Sequence, residues 1–296
     1  MKLKRVVVPV ATVWTSPTAP REIDAPALKG DVQQWVADMS DADSITLGDG
    51  NRIATQVLFN DEVMVISEAG DWSEIVVPSQ ADDSDVRGYP GWVKTALLTE
   101  IAPDAVTTTQ VTVASPLTTL FDDHHDPLLT VSMGTRFSQL DITADAVKVA
   151  TPLGPGYIDK ESIVMPFADL AMNERLVAMG RQFLGLRYLW GGISAYGFDC
   201  SGFVYTLHRV LGFELPRDAD DQYYNGQPVA AENLQPGDLL FFAYEHGHGR
   251  IHHVGMYIGH GQMLQSRTLG KQVDIAALTE LRYAPEYVGA RRYWRA

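Results

Sequence analysis

Cysteine is almost missing: the 296 residues hold one, Cys200. This excludes an intramolecular disulfide framework and any CxxC metal site. Basic residues are scarce as well, 23 Lys and Arg against 37 Asp and Glu, for a net charge of −14 and a pI near 4.9. So acidic a chain lacks the clustered cations that nucleic acid or an anionic membrane demands, and neither is expected as a partner. Tight passive adsorption to an anionic cell wall is disfavoured on the same ground. No apolar run reaches the ~18 residues of a membrane span. The start, MKLKRVVVPVATVWTSPTAP, imitates a signal peptide, but Pro9 and Thr12 interrupt its short apolar run and no A-x-A site follows. It reads instead as a β-strand leading into a turn at Thr15-Ser16-Pro17, and the expectation is a non-exported, cytoplasmic protein. What is present, 46% hydrophobic and 20% charged residues, is globular composition with enough apolar content for more than one core.

Two segments look alike. EVMVISEAGDWSEIVVP (Glu62–Pro78) and RFSQLDITADAVKVATP (Arg136–Pro152) each read strand, turn with Asp, strand, Pro. Each is followed by a Gly-aromatic-aliphatic run, GWVKTALL from Gly91 and GYIDKESI from Gly156. Alternating β-branched residues with Gly, Pro and Asp punctuation indicate short antiparallel strands. Two small β-barrels in tandem are expected, residues 1–100 and 101–166. The first carries an insertion over about 24–52 whose LKGDVQQWVADMS is helical in pattern. From 167 the pattern changes. Leu170, Leu176, Val177, Met179 and Phe183 fall at helical spacing and stop at Gly185. A second helix follows Cys200, with Phe203, Val204, Leu207, Val210 and Leu211 on its apolar face. After Pro236-Gly237 come four strands, DLLFFAY, HHVGMYIG, GQMLQS and YVGARRYW. Residues 167–296 therefore read as an α+β unit.

A lone cysteine is most often a small hydrophobe. Cys200 differs because it sits at a helix start, where unpaired N–H groups carry partial positive charge. That position predicts a lowered thiol pKa, and the same N–H groups can hold an oxyanion. A thiolate also needs a base, and His253 on HHVGMYIG can face that helix end. Gln265, on the next strand, can orient the imidazole. His252 is the neighbouring alternative, one residue away on the opposite face. The cluster His246, His248, His252, His260 imitates a metal loop. No acid or cysteine joins it at ligand spacing, so a solvated hairpin is expected, with no metal and no cofactor.

The ordered motifs YLWGG (188–192), DCSGFV (199–204), LPRDADDQ (215–222), LQPGDLLFF (234–242) and HVGMYIG (253–259) resemble the NlpC/P60 family of papain-like cysteine peptidases. The resemblance covers about 167–296. It implies Cys200 as nucleophile, His253 as base and Gln265 at the third polar position, where many members carry a second His. Gln bears no charge and would hold the ring only by a hydrogen bond. The two preceding β units resemble bacterial SH3 (SH3b) domains.

Two SH3b-like units before an NlpC/P60 domain are similar to the γ-D-glutamyl-L-diamino acid endopeptidases of murein peptide recycling, the dipeptidyl-peptidase VI type. The resemblance implies cleavage of murein tripeptides and tetrapeptides after L-Ala-γ-D-Glu, with a free N-terminal L-Ala required. A buried ammonium needs carboxylates at the closed end of a cleft. Asp199, adjacent to the nucleophile, is one candidate reader; the resemblance implies in addition a carboxylate and a tyrosine from the first β unit, which fall at Asp61 in the turn NDEV, with Glu62 as neighbour, and at Tyr89 in GYPGW. Tyr188 is expected to support the oxyanion together with the Cys200 N–H. Trp190, Ser201, Asp218 and His252 complete the expected substrate contacts, while Ala219 stands where the resembling enzymes often have a serine. The first β unit would cap the cleft. The alternative is an exported hydrolase of intact peptidoglycan, with the SH3b units as wall anchors. No obligate protein partner is implied.

Overall fold

The computed structural model describes residues 2–101, 109–163, 167–280 and 284–295. The expected junction at 166 lies outside these residues, and the one after 100 adjoins 102–108, which lie outside them too.

The N-terminal sheet contains β1 (Lys2–Val6), β2 (Val10–Trp14), β3 (Ile53–Leu58), β4 (Glu62–Ala69), β5 (Trp72–Val77), β6 (Tyr89–Lys94) and β7 (Leu98–Glu100). The first apolar run is thus two strands rather than the single one its composition suggested. Pro9 lacks the N–H a continuous ladder would need, and β1 and β2 pair with different neighbours, β4 and β7 against β3 and β6. The second sheet contains β8 (Gln110–Thr112), β9 (Leu117–Phe121), β10 (Pro127–Ser132), β11 (Arg136–Ile142), β12 (Ala146–Ala150) and β13 (Gly156–Asp159). Strand order is β3-β2-β6-β5-β4-β1, with β7 at the edge, in one sheet and β10-β9-β13-β12-β11-β8 in the other. The second order is the first with each strand moved seven places along the chain, so the repeat seen in the residues is also a repeat of topology.

Between β2 and β3 lie α1 (Val32–Asp38), capped by Asp31 accepting from Gln34 N–H, and α2 (Asp41–Asp49), opened by a reciprocal Ser40–Asp43 capping box. Trp35 of α1 is fully buried against Trp14, and its indole N–H donates to buried Asp24 at 2.9 Å.

The C-terminal unit begins with α3 (Met172–Arg181), a small hairpin of β14 (Ile193–Ser194) and β15 (Gly197–Phe198), then α4 (Cys200–Val210) and α5 (Ala219–Asn225). Its sheet contains β16 (Gln227–Val229), β17 (Leu239–Ala243), β18 (Ile251–Tyr257), β19 (Gln262–Ser266), β20 (Val273–Ala277) and β21 (Tyr287–Arg292) in the order β16-β21-β17-β18-β19-β20. The edge strand β20 was not anticipated; its VDIAA is too short and too mixed to stand out. Phe183, Phe198 and Phe203 meet edge-on with centroids 5.0–6.4 Å apart and lock α4 to the segments before it.

α4 is buried all round, which marks a central helix rather than a surface one. Its apolar face packs on the sheet. Its other side meets both β units: Tyr205 donates to Ser79 C=O at 2.8 Å, Arg209 forms a buried ion pair with Asp61, and Arg136 donates to Arg209 C=O at 3.2 Å. A continuous apolar cluster runs from Val10, Trp14 and Trp35 into Leu189, Phe203 and Val254. Phe59 of the first unit sits in the core of the second. The three parts therefore share interior surface rather than hanging on linkers.

Candidate active site

Cys200 is the first residue of α4, and Asp199 is its N-cap, accepting from Gly202 N–H at 2.6 Å. Cys200 is half-buried and lines a cleft of about 770 Å³. The N–H groups of Ser201 and Val254 both point at the sulfur, and the Tyr188 hydroxyl donates to it. Val254 follows His253 on β18, so the strand that carries the imidazole lies directly against the start of the helix.

His253 is 4% exposed, and its Nε2 lies 2.7 Å from Gln265 Oε1. Gln265 in turn donates through Nε2 to Asp274 Oδ1 at 3.0 Å. An amide whose NH2 is taken by a carboxylate presents its carbonyl to the ring, so Nε2 of His253 carries the proton and Nδ1 keeps its lone pair.

The electrostatics differ from the sequence expectation in sign. Burial, helped by the Asp199 carboxylate, pushes the Cys200 thiol from 9.0 up to about 12 against the opposing pull of the Val254 and Ser201 N–H groups and of Arg217. That rise corresponds to about 4 kcal/mol. Even discounted for water in the cleft, it exceeds the 0.3–1 kcal/mol, roughly, that a helix start supplies. Burial likewise lowers His253 from 6.5 to about 4. Both shifts favour the neutral thiol and the neutral imidazole, opposite in direction to the lowered thiol pKa that the helix start alone predicts.

Asp199 is not an available ammonium reader. Arg217, 1% exposed, grips it with Nη2 to Oδ2 at 2.6 Å and Nη1 to Oδ1 at 3.2 Å, and also donates to Ser201 Oγ at 3.0 Å and Thr55 Oγ1 at 2.9 Å. The Ser201 hydroxyl is spent on the same cluster, donating to Asp199 Oδ1 at 3.2 Å. Thr55 belongs to β3, so the N-terminal sheet braces the residue beside the nucleophile. Asp61 and Glu62 are corrected more fully. Asp61 is committed to Arg209 and to Leu58 N–H, and Glu62 to Arg5 at 2.7 Å; neither lines the cleft. The turn that carries them packs against the second unit instead.

Tyr89 and Asp218 do meet in the cleft, the phenol donating to Asp218 Oδ2 at 2.8 Å. Burial raises Asp218 from 3.8 to about 6, opposed by Arg217 and by the Tyr89 hydrogen bond. Its side chain remains 42% accessible, so cleft water moderates that rise. Glu74, Asp82 and Asp220 line the same cleft; Asp220 lies within LPRDADDQ, whereas no motif flags Glu74 or Asp82. Arg217 was within reach of sequence reading, since it precedes Asp218 in LPRD, but its partner Asp199 lies 18 residues back.

Trp190 and His252 line the cleft as well. The Trp190 indole donates to Ile53 C=O at 3.2 Å, and His252 pairs with Glu286 at 2.9 Å and stacks on Tyr244. Gly191 has φ +72°, and a Cβ there would fall 2.5 Å from Ile53 Cγ2. The WGG turn thus admits the N-terminal sheet. One wall of the cleft is β units, with Ile53, Ala54, Tyr89 and Trp92; the other is the α+β unit.

Comparison with known proteins agrees with this geometry. Residues 185–292 match the NlpC/P60 family, and 113–165 match the YKFC SH3b2 domain. A γ-D-glutamyl-L-lysine dipeptidyl-peptidase of Bacillus subtilis is 39% identical over 97% of both chains. One of the same description from Bacillus cereus is 37% identical over 97% of this chain and 89% of its own. A solved NlpC/P60 family protein from Bacillus cereus superposes with a TM-score of 0.92 at 35% identity, covering 99% of each chain.

Proposed function

The chain belongs to the NlpC/P60 family of cysteine peptidases, and from that premise we propose that it cleaves the γ-D-glutamyl-L-diamino acid bond of short murein peptides whose N-terminal L-Ala is free. The hydrolase and its bond follow from relatives of that activity matched along almost the whole chain. The demand for a free amine is supported by one observation: Tyr89 and Asp218, from opposite walls, meet in the cleft that holds Cys200, the phenol holding the Asp218 carboxyl there. An ammonium there gains a charge-assisted hydrogen bond that an acylated nitrogen cannot make.

The proposed chemistry uses the groups as placed. Cys200 Sγ attacks the γ-carbonyl of D-Glu while its proton passes to His253 Nδ1, so S–C forms as S–H breaks. The oxyanion is held by the Cys200 N–H and the Tyr188 hydroxyl. The C–N bond then breaks, with His253 returning the proton to the leaving amine. Water, deprotonated by the same nitrogen, cleaves the thioester and restores the thiol. Because the β wall admits short, unblocked ends, soluble fragments are the favoured substrate and murein peptide recycling inside the cell the favoured setting. By the same token the N-terminal unit is an SH3b-like cap on the cleft, not a wall anchor.

The test is mass spectrometry of products from L-Ala-γ-D-Glu-L-Lys, its meso-diaminopimelate counterpart, their N-acetyl forms and whole sacculi. Release of L-Ala-D-Glu from free peptides alone is expected, and loss of it in Cys200→Ser and His253→Ala. Equal cleavage of acetylated peptides or of sacculi would overturn the specificity; wild-type turnover in either variant would overturn the mechanism.

A further inference from the structure

On the peptidase reading above, we propose that Thr55 of β3 is a positioning residue for Cys200, so that the N-terminal sheet takes part in placing the nucleophile as well as in walling the cleft. Thr55 is fully buried and does not line the cleft itself. Its hydroxyl donates to Gln80 Oε1 at 2.7 Å and accepts from Arg217 Nε at 2.9 Å. The groups around it fix the direction of both bonds. Gln80, also fully buried, donates its amide NH2 to Gln56 C=O at 2.7 Å and so turns its own carbonyl to Thr55. The Thr55 proton then goes to Gln80, with Gln56 C=O a longer second acceptor at 3.3 Å, and the oxygen keeps its lone pairs for the guanidinium. Arginine offers donors alone, so only an acceptor suits that place.

The other nitrogens of Arg217 carry this contact to the chemistry. Nη2 and Nη1 grip Asp199, and Nη1 also reaches Ser201 Oγ, so the fork spans the residues on either side of the nucleophile. Asp199 caps α4 through Gly202 N–H and thereby sets where the Cys200 sulfur and N–H stand. The Arg217 backbone is tied to the same sheet region, its N–H donating to Ala81 C=O at 3.0 Å, next to Gln80. Backbone and Nε thus anchor one side chain at two points, and its far end aims the cap of the helix. The fork also opposes the Asp199 charge at the sulfur, which otherwise faces the Tyr188 hydroxyl and the N–H groups of Ser201 and Val254. A valine at 55 keeps the shape but strands the Nε proton in a buried place. Its methyl cannot approach as closely as the hydroxyl oxygen, so the fork shifts out of register with Asp199.

The experiment uses the full chain and compares Thr55→Val with Thr55→Ser. It reads kcat and KM on L-Ala-γ-D-Glu-L-Lys, the rate of Cys200 alkylation by iodoacetamide, and stability in urea. For Thr55→Val, kcat should fall about 10- to 100-fold, the range that a displacement of about 1 Å can cost, while KM stays within about threefold. Alkylation at a fixed mildly alkaline pH should slow about three- to tenfold, because a less compensated Asp199 carboxylate holds the proton on sulfur. Thr55→Ser keeps the hydroxyl and should bring both rates to within about threefold of wild type. Should the valine variant not fold, Thr55→Ala removes the same hydroxyl with less crowding and carries the same expectations. A loss of stability in urea with both rates unchanged would overturn the proposal and leave Thr55 a structural residue. So would a fall in kcat with an unaltered thiol, or a serine variant as impaired as the valine one. Alkylation needs no substrate, so a wild-type chain that fails to cleave the peptide would end the assigned activity and leave Thr55 to be judged on the thiol.

Discussion

Replacing Asp218 by Asn tests the amine-reading site with almost no change in shape. The Tyr89 hydroxyl donates to Asp218 Oδ2 at 2.8 Å, and an amide oxygen can accept the same bond, so the cleft wall stays in place. What is lost is the charge. A hydrogen bond to a charged partner contributes about 1.5–3 kcal/mol, which is roughly 10- to 150-fold in kcat/KM. The partial accessibility of the side chain favours the lower part of that range. The loss should appear in KM more than in kcat, because the ammonium sits away from the reacting carbonyl and is bound alike in ground and transition states. The pH profile gives a second reading. Burial pushes the Asp218 carboxyl up toward 6, so in the wild type kcat/KM should fall as pH drops below that and the carboxyl takes up a proton. It should fall again above about 8, where the substrate's own α-amine loses its proton. Asn removes the acid limb and keeps the alkaline one. Steady-state hydrolysis of free and N-acetylated L-Ala-γ-D-Glu-L-Lys between pH 5 and 9 measures all of this. The acetylated peptide is the control: its poor turnover should be nearly unaffected by the substitution. An unchanged ratio of free to acetylated rates in Asp218→Asn would refute the reasoning.

Three further outcomes are expected. Alkylation of Cys200 by iodoacetamide should accelerate steadily from pH 7 to 10 rather than plateau near 5, since the thiol is pushed up to about 12; a plateau would mean a preformed thiolate–imidazolium pair. Arg217→Met should destabilise the fold by about 3–5 kcal/mol in urea titration, because it strands the buried Asp199 carboxylate; a change under 1 kcal/mol, roughly, would mean that water reaches Asp199 freely. Gly191→Ala should cost more than the ~1–2 kcal/mol of a left-handed residue, since its methyl meets Ile53, and Ile53→Ala in the same chain should return part of it.

The legible portion of this molecule was the local portion. Helix α4 and its N-cap were readable because Asp199, Cys200 and the apolar spacing of Phe203, Val204 and Leu207 lie within one short stretch. The repeat of hairpin and third strand was readable for the same reason, as each copy is continuous. His253 and Gln265 could be paired because β18 and β19 are consecutive strands of one sheet. What failed was of two kinds. Asp61 was misplaced because a turn acid facing Arg209, 148 residues away, is identical in sequence to one facing a ligand. The thiol's acidity was misjudged because the helix start is visible in the chain while the density of protein around the sulfur is not. Glu74 and Asp82 meet Asp220 only when two distant segments close on one cleft.

The hydrogen bond between Tyr89 and Asp218 joins residues 129 positions apart. On a ribosome adding about 5–20 residues each second, the two sides of the bond are made roughly ten seconds apart. The reader of the substrate amine is thus half built long before the thiol emerges, and is finished after it. Asp218 nevertheless precedes the base, His253, in the chain, so both halves of the Tyr89–Asp218 bond are made before the nucleophile gains the imidazole it needs.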